Sequence, residues 1–99
     1  MYLIRDIMYC KPGKVRSLVD KLKAMSKLSA GAGMGAMRIM TDFCAEQYWT
    51  VVTEVEVPNL EEYFRLSRES MAGSEFKATM QGYHELVDRG RREIYVLES

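Results

Sequence analysis

A ten-residue segment near the middle of the chain, residues 48–57, constrains the fold more than any other feature. Its side chains alternate between two faces, with Trp49, Val51, Thr53, Val55 and Val57 on one and Tyr48, Thr50, Val52, Glu54 and Glu56 on the other. β-branched and aromatic residues at this density favour an extended chain. We therefore predict a strand over residues 48–57, ended by the Pro-Asn pair that follows it.

The first third of the chain predicts a strand followed by a helix. Residues 2–9 are rich in aromatic and long apolar side chains and stop at a Lys-Pro-Gly turn. An apolar stripe at helical spacing follows, formed by Val15, Leu18, Val19, Leu22 and Met25. We expect this helix to end within residues 29–33, Ser-Ala-Gly-Ala-Gly, because glycine has low helix propensity. These glycines follow a helix and precede a strand, which is the wrong context for a phosphate-binding loop.

The remaining chain predicts a hairpin, two helices and a last strand. We expect a strand at residues 35–43 and a hairpin loop at residues 44–47. Two helices are expected at residues 59–71 and 74–87, and the final strand at residues 91–97. Asn59 with Glu62 three residues later is typical of a helix start. We expect Asp88-Arg89-Gly90 to close the last helix.

The predicted order of elements, β-α-β-β-α-α-β, is the split βαβ pattern of the ferredoxin-like α+β fold. It predicts a four-stranded antiparallel sheet with strand order 4-1-3-2 and both helical regions on one face. The 99 residues contain no internal repeat or long linker, so we expect residues 1–99 to form a single domain.

The composition argues against nucleic-acid-binding, membrane-spanning, secreted and metal-binding proteins. Lys and Arg number 14, as do Asp and Glu, so no net charge points to nucleic acid or an anionic membrane. No apolar run approaches the roughly 20 residues that span a bilayer. Arg5 and Asp6 interrupt the apolar segment that a signal peptide would need, and the two cysteines lack the spacing of a metal or redox site. We therefore expect a cytoplasmic protein with reduced thiols, no metal and no cofactor.

The sheet face turned away from the helices predicts the assembly state. In a monomer that face should be polar, yet either set of alternating strand residues carries several large apolar side chains. Four such strands would expose more apolar surface than a monomer tolerates. We therefore predict a homodimer in which the two sheets face each other. The alternative is a monomer with short strands and a modest apolar patch.

Two charged residues interrupt otherwise apolar strands, Asp6 in the first strand and Arg38 in the second. A charge between two sheets must pair with another charge or contact a ligand. We expect Asp6 to face the space between the sheets, and Arg5 to extend past the edge of the helices. The other interpretation of Asp6 and Arg38 is a structural ion pair or contacts at the rim of the interface.

The opening residues 4–15, Ile-Arg-Asp-Ile-Met-Tyr-Cys-Lys-Pro-Gly-Lys-Val, resemble the first strand and Lys-Pro-Gly-Lys turn of NIPSNAP-like proteins. Residues 92–97 resemble that family's last strand. The whole layout is similar to the dimeric α+β barrel superfamily, which also holds antibiotic-biosynthesis-type and haem-degrading monooxygenases. The resemblance implies a homodimeric barrel with a ligand cavity in each subunit, between sheet and helices or between the sheets. Because functions in this superfamily are diverse, the fold does not determine the function.

Haem-degrading members carry an Asn, a Trp and a His at three positions that this chain does not match. Asp6 stands at the Asn position, the helix after Asn59 has no Trp, and Met80 stands at the His position. The resemblance therefore does not extend to haem degradation.

The candidate functional residues form a catalytic set and a ligand-binding set. His84, the only histidine, could act as a general base, although a lone histidine is more often a half-exposed helix residue. The ligand-binding candidates are Ile4, Met8, Met40, Trp49, Met80 and Tyr83. Methionines would give such a site an adaptable lining, although most of them are expected to fill the core.

We favour a binding protein whose cavity beside the sheet accepts a small apolar or aromatic molecule. The alternative is a cofactor-independent monooxygenase of an electron-rich aromatic substrate, in which Asp6 or His84 takes a proton and Arg38 stabilises the resulting anion. A structural interaction module is the third hypothesis. Convergence of the three catalytic candidates on one pocket would favour the enzyme.

Overall fold

The computed structural model describes residues 1–31 and 33–99 and has the predicted α+β fold. Its elements are β1 (Tyr2–Cys10), α1 (Val15–Gly31), β2 (Met37–Thr41), β3 (Thr50–Val57), α2 (Leu60–Met71), α3 (Ser74–Thr79), α4 (Tyr83–Leu86) and β4 (Val87–Val96). The strands form one antiparallel sheet in the order β2-β3-β1-β4, which confirms the predicted order 4-1-3-2. Ala32, part of the predicted helix end, lies outside the described residues. Within the described ranges, every helix is too short or too polar to cross a membrane.

The hairpin strands are shorter than predicted, and their connection is longer. β2 ends at Thr41 and β3 begins at Thr50, so residues 42–49 connect them. Trp49, predicted to lie inside β3, has a φ of 63°, in the left-handed region that an L-residue in a strand does not adopt. Its carbonyl accepts a 2.8 Å hydrogen bond from the Cys10 backbone N–H, which fixes this turn beside β1.

The prediction of a helix over residues 74–87 is wrong in the second half of that range. α3 ends at Thr79, and Gly82, with a φ of 86°, separates it from the single turn of α4. A left-handed residue cannot continue a right-handed helix. β4 then begins at Val87, so residues 88–90, predicted to close the helix, belong to the strand instead: Arg89 and Gly90 pair with β1, and Asp88 lies at a bulge in the pairing.

The core lies between the sheet and the helices. Its larger cluster joins strand and helix residues, namely Met8, Cys10, Leu18, Val19, Leu22, Val51 and Leu86. A smaller cluster, Ile4, Val55 and Val57, packs beneath Tyr63 and Phe64 of α2. Ile4 and Met8 of β1 therefore point toward the helices.

The predicted orientations of Asp6 and Arg5 are wrong. Asp6 alternates in phase with Ile4 and Met8, so it also faces the helices. Arg5 points to the opposite, outer face of the sheet, where its Nε lies 2.7 Å from a carboxylate oxygen of Glu54. Ile4 and Met8 pack in the core beneath the helices. Because alternate residues of a strand lie on the same face, Asp6, which lies between them in the chain, faces the helices as well.

The outer face of the sheet is more polar than predicted. In the central strand β1, Leu3, Ile7 and Tyr9 are buried among neighbouring side chains. Met40 of β2 and Tyr95 of β4 are exposed on the same face. Charged side chains from all four strands lie among these apolar groups.

Candidate functional site

A cavity of about 610 Å³ lies between the sheet and the helices. This volume is within the range of small-molecule sites, roughly 300–1,000 Å³. Of the eight methionines in the chain, the cavity is lined by Met8, Met25, Met34, Met37, Met71 and Met80. Methionine is flexible and polarizable, so this lining can adapt to the shape of an apolar ligand.

Short helices and a glycine leave this space open. α3 and α4 have six and four residues, too few to cover the sheet as α1 does. Gly90 of β4 lies opposite Met8 of β1 and contributes no side chain to the cavity floor. A Cβ atom at Gly90 would lie 2.8 Å from the Ile7 carbonyl oxygen and 3.7 Å from Cγ of Met8.

An ion pair between neighbouring strands forms the charged part of the cavity wall. Arg92 of β4 is the register partner of Asp6 of β1. Arg92 donates through Nε to Oδ1 of Asp6 at 2.7 Å and through Nη2 to Oδ2 at 3.2 Å. The hydrogen bond to Asp6 raises the pKa of Arg92, and the guanidinium also lies 5.5 Å from the ring centroid of Phe64. Both carboxylate oxygens are therefore engaged in a fixed geometry.

Two tyrosines add neutral hydrogen-bonding groups to the cavity. Tyr63 of α2 and Tyr83 of α4 both line it. Burial raises the pKa of both phenols, and the negative charge of Asp6 raises them further, while Arg92 acts against this rise at Tyr63. Both phenols therefore stay protonated at neutral pH and can donate to a ligand.

The three catalytic candidates do not converge. Asp6 and His84 both line the cavity, with the exposed His84 ring 5.5 Å from the Tyr83 ring in an edge-on arrangement. Arg38 lies on the outer face of the sheet, where its Nη2 is 2.8 Å from Oε1 of Glu54. The sheet therefore separates Arg38 from the other two.

The ligand-binding candidates are also divided. Met8, Met80 and Tyr83 line the cavity. Ile4 lies in the core beneath α2, and Met40 is exposed on the outer face of the sheet. Trp49 lies in the β2–β3 connection and is 44% exposed.

Sequence reasoning missed Arg92 and Tyr63. The sequence predicts the last strand over residues 91–97, but it does not determine which alternating set of side chains faces the helices. The strand order 4-1-3-2 does place β4 beside β1, and this order was available from the sequence pattern. The register that sets Arg92 opposite Asp6 depends on where the pairing starts, which local sequence does not specify.

The cysteines and acidic residues do not build a second reactive centre. Burial raises the pKa of the Cys10 thiol, with a further contribution from Asp42, so the reactive thiolate is disfavoured. Cys44 is a free, exposed thiol. Within residues 1–31 and 33–99, no group of three or more His, Cys, Asp or Glu side chains could hold a metal ion.

No family model and no curated protein matches this sequence. Solved structures do match its fold. An uncharacterized NIPSNAP-like domain protein from Burkholderia xenovorans superposes with a TM-score of 0.84 at 15% identity, covering 99% of this chain and 85% of that one. A NIPSNAP family protein of unknown function from Agrobacterium tumefaciens gives 0.84 at 10% identity, covering 96% and 86%.

An antibiotic biosynthesis monooxygenase also has this fold. It superposes with a TM-score of 0.72 at 11% identity over 100% of both chains. Identities this low show a shared fold and no more. The resemblance to NIPSNAP-like and antibiotic-biosynthesis-type proteins is thus confirmed at the level of architecture.

Proposed function

We propose that this protein, whose fold is that of NIPSNAP family proteins and of an antibiotic biosynthesis monooxygenase, binds a small apolar or aromatic molecule between its sheet and its helices. The methionine-lined cavity of about 610 Å³ carries this proposal. Met8, Met80 and Tyr83 contact the ligand in this scheme.

The lining supports a ligand that is mostly apolar but has one polar group. Each 100 Å² of apolar ligand surface removed from water contributes about 2.5 kcal/mol to binding. The polar group orients the ligand toward the Asp6–Arg92 pair and the phenol of Tyr63, which lie in the same cavity. Affinity would therefore come from the methionines, and orientation from the ion pair.

We extend the proposal to the assembly and location of the protein. Residues 1–99 act as one domain, and two copies pair through the outer faces of their sheets. The exposed Met40 and Tyr95 and the apolar side chains of Ile7 and Tyr9 on that face support this pairing. The free Cys10 and Cys44 support a reducing, cytoplasmic location.

Titration calorimetry with 1-naphthol tests the binding proposal. Ser67 of α2 lines the cavity, so Ser67→Trp places a bulky ring in part of it, whereas Ser67→Ala leaves it open. We expect Ser67→Trp to weaken 1-naphthol binding by at least about tenfold, since it removes roughly 1.4 kcal/mol or more of binding energy, and Ser67→Ala to stay within about twofold. Equal binding by both variants, or no binding to the parent chain, would contradict the proposal.

A second candidate function is cofactor-independent oxygenation of an electron-rich aromatic molecule. The presence of Asp6 and His84 in one cavity and the fold shared with an antibiotic biosynthesis monooxygenase favour it. In this scheme His84 takes a phenolic proton from the substrate, and Arg92 stabilises the resulting phenolate in place of Arg38. The phenolate then supplies the electrons that reduce dioxygen: one oxygen atom is added to the ring, which is oxidised from a hydroquinone to a hydroxyquinone, and the other oxygen atom leaves as water. Asp6, held by Arg92 through both oxygens, is the less available base.

Oxygen uptake with a panel of hydroquinones tests this second function. We expect turnover that falls by at least about tenfold in His84→Ala, which removes the base, and in Asp6→Asn, which weakens the pairing that positions Arg92, while Arg38→Ala keeps the parent rate. Absence of turnover across the panel would leave binding alone as the function.

A further inference from the structure

A row of four alternating charges crosses the outer face of the sheet, one from each strand. In sheet order the row consists of Arg38, Glu54, Arg5 and Glu93. Arg38 Nη2 lies 2.8 Å from Oε1 of Glu54, and Arg5 Nε lies 2.7 Å from Oε2 of the same residue. Arg5 Nη1 lies 3.7 Å from Oε1 of Glu93, so ion pairs link the whole row.

The row stays charged, and it is most exposed to solvent at its Arg38 end. Tyr95 and Arg91 donate hydrogen bonds to Glu93 and lower the pKa of that carboxyl group. The Glu54 side chain is 11% exposed, whereas Arg38 at the edge is 62% exposed. A second sheet that covered this face would have to meet these four charges without leaving any of them next to a like charge.

Two-fold symmetry makes the row complementary to itself in one orientation. An axis that lies between two facing sheets and runs along the strands reverses the order of the strands in the second sheet. When the axis passes midway between β3 and β1, Arg38 faces Glu93 of the partner subunit and Glu54 faces the partner's Arg5, so every charge meets its opposite. An axis that runs along the row instead sets each residue against its own copy and creates four contacts between like charges.

The neighbouring rows on the outer face do not distinguish the two orientations. With the axis along the strands, Val52 packs against Ile7 of the partner subunit, but Glu56, the register partner of Leu3, faces the partner's Leu3. With the axis along the charged row, Val52 covers the partner's Glu56 instead. Each arrangement sets a carboxylate against an apolar group, so the four-charge row alone selects between them.

We propose that the four-charge row selects the geometry of the homodimer, with the two-fold axis along the strands and Arg38 of each subunit against the partner's Glu93. This inference rests on the sheet-to-sheet homodimer of the proposed function and adds its orientation. The occupant of the outer face is therefore a second copy of this chain.

Charge reversal at the two ends of the row tests the orientation. Arg38→Glu alone and Glu93→Arg alone each create two like-charge contacts in a homodimer, so we expect self-association at least about tenfold weaker than in the parent chain. A mixture of the two variants restores opposite charges at all four contacts and forms a heterodimer about as stable as the parent dimer. The variant that carries both changes reads − − + + along the row, is complementary to its own copy, and self-associates again.

Sedimentation velocity measures the self-association of each variant. Native mass spectrometry, with one variant isotopically labelled, distinguishes the heterodimer from the two homodimers. Glu61→Arg, a charge reversal on the exposed surface of α2, is the matched control and leaves the dimer intact. Urea unfolding of each variant confirms that the chains are folded. Loss of an ion pair within one chain would not be repaired by mixing, so the heterodimer separates the two effects.

The outcomes distinguish this inference from the proposed function. A monomeric parent chain overturns the homodimer itself, together with the role of the row. A dimeric parent whose variants all self-associate equally, or in which Arg38→Glu pairs with the parent chain in preference to Glu93→Arg, overturns the orientation and leaves the homodimer standing.

Discussion

Gly90 is the residue on which the floor of the cavity depends. Its backbone packs against β1 so closely that a Cβ atom would approach the Ile7 carbonyl oxygen to 2.8 Å. The contact is with backbone, which cannot rotate away as a flexible side chain can. Any side chain here must push β1 and β4 apart beside Met8, which lines the cavity.

Gly90→Ala should therefore lower the free energy of unfolding by about 1–3 kcal/mol, the usual effect of overpacking. Gly31→Ala is the control, because a Cβ there meets no atom within 4 Å and its effect should stay within about 0.5 kcal/mol. Urea unfolding measures both. An equal effect of the two substitutions would contradict the close packing of β4 on β1.

The raised pKa values of Tyr63 and Tyr83 predict a loss of stability at alkaline pH. The unfolded chain ionises its tyrosines near pH 10, while burial keeps these two phenols protonated to higher pH in the folded state. The folded state then holds more protons, so the free energy of unfolding falls as pH rises above about 10. Below about pH 9 these residues contribute no pH dependence.

Tyr63→Phe should make this alkaline fall smaller, and Tyr63→Phe with Tyr83→Phe should make it smaller again. Urea unfolding at pH 8 and pH 11 gives the comparison. The same fall in the parent chain and in the double variant would show that these phenols are not protected from ionisation.

At the scale of elements, helix α2 sets one wall of the cavity. Its start is fixed by Asn59, whose side-chain oxygen accepts a 2.9 Å hydrogen bond from the Glu62 backbone N–H. From this start the helical spacing brings Tyr63, Ser67 and Ser70 onto the cavity side. The capping pattern alone predicted where this helix begins.

Asn59→Ala should therefore lower the free energy of unfolding by about 1 kcal/mol, whereas Asn59→Asp keeps an acceptor at the cap and should be nearly neutral. Thermal or urea unfolding of the two variants provides the comparison. If the alanine and aspartate variants were equally stable, the cap would not hold the helix start.

Local sequence determined some elements and failed at others for identifiable reasons. The stripe from Val15 to Met25 and the Asn59 cap are local features, and both elements form as predicted. One continuous helix was predicted over residues 74–87, but the left-handed backbone of Gly82 interrupts it. Pairing of Val87, Arg89 and Gly90 with β1 then extends β4 at the expense of the helix.

Strand orientation was harder to predict than strand position. Both alternating sets of β1 contain large apolar residues, so the alternation does not determine which set faces the helices. The charge of Asp6 suggested a place between two sheets, yet pairing with Arg92 keeps it on the helix side. Asp6 and Arg92 are 86 residues apart in the chain. Their pairing depends on the contact between β1 and β4, so a local sequence pattern cannot predict it.

At the scale of the whole molecule, the sheet has two faces with different composition. The helix side holds the methionine-lined cavity and the Asp6–Arg92 pair. The outer side holds apolar groups around the four-charge row. In the proposal, the first face binds the ligand and the second binds another copy, so the two roles can be tested separately.

Methionine-methyl NMR during titration with 1-naphthol tests the central claim, that the ligand binds between sheet and helices. Six methionines line this cavity, while Met40 lies on the outer face and Met1 at the chain start is exposed. Ligand binding in the cavity predicts chemical-shift changes at methyl groups among the six, with Met1 and Met40 unaffected. Shifts confined to Met40 would place the ligand on the outer face, and that result would contradict the account.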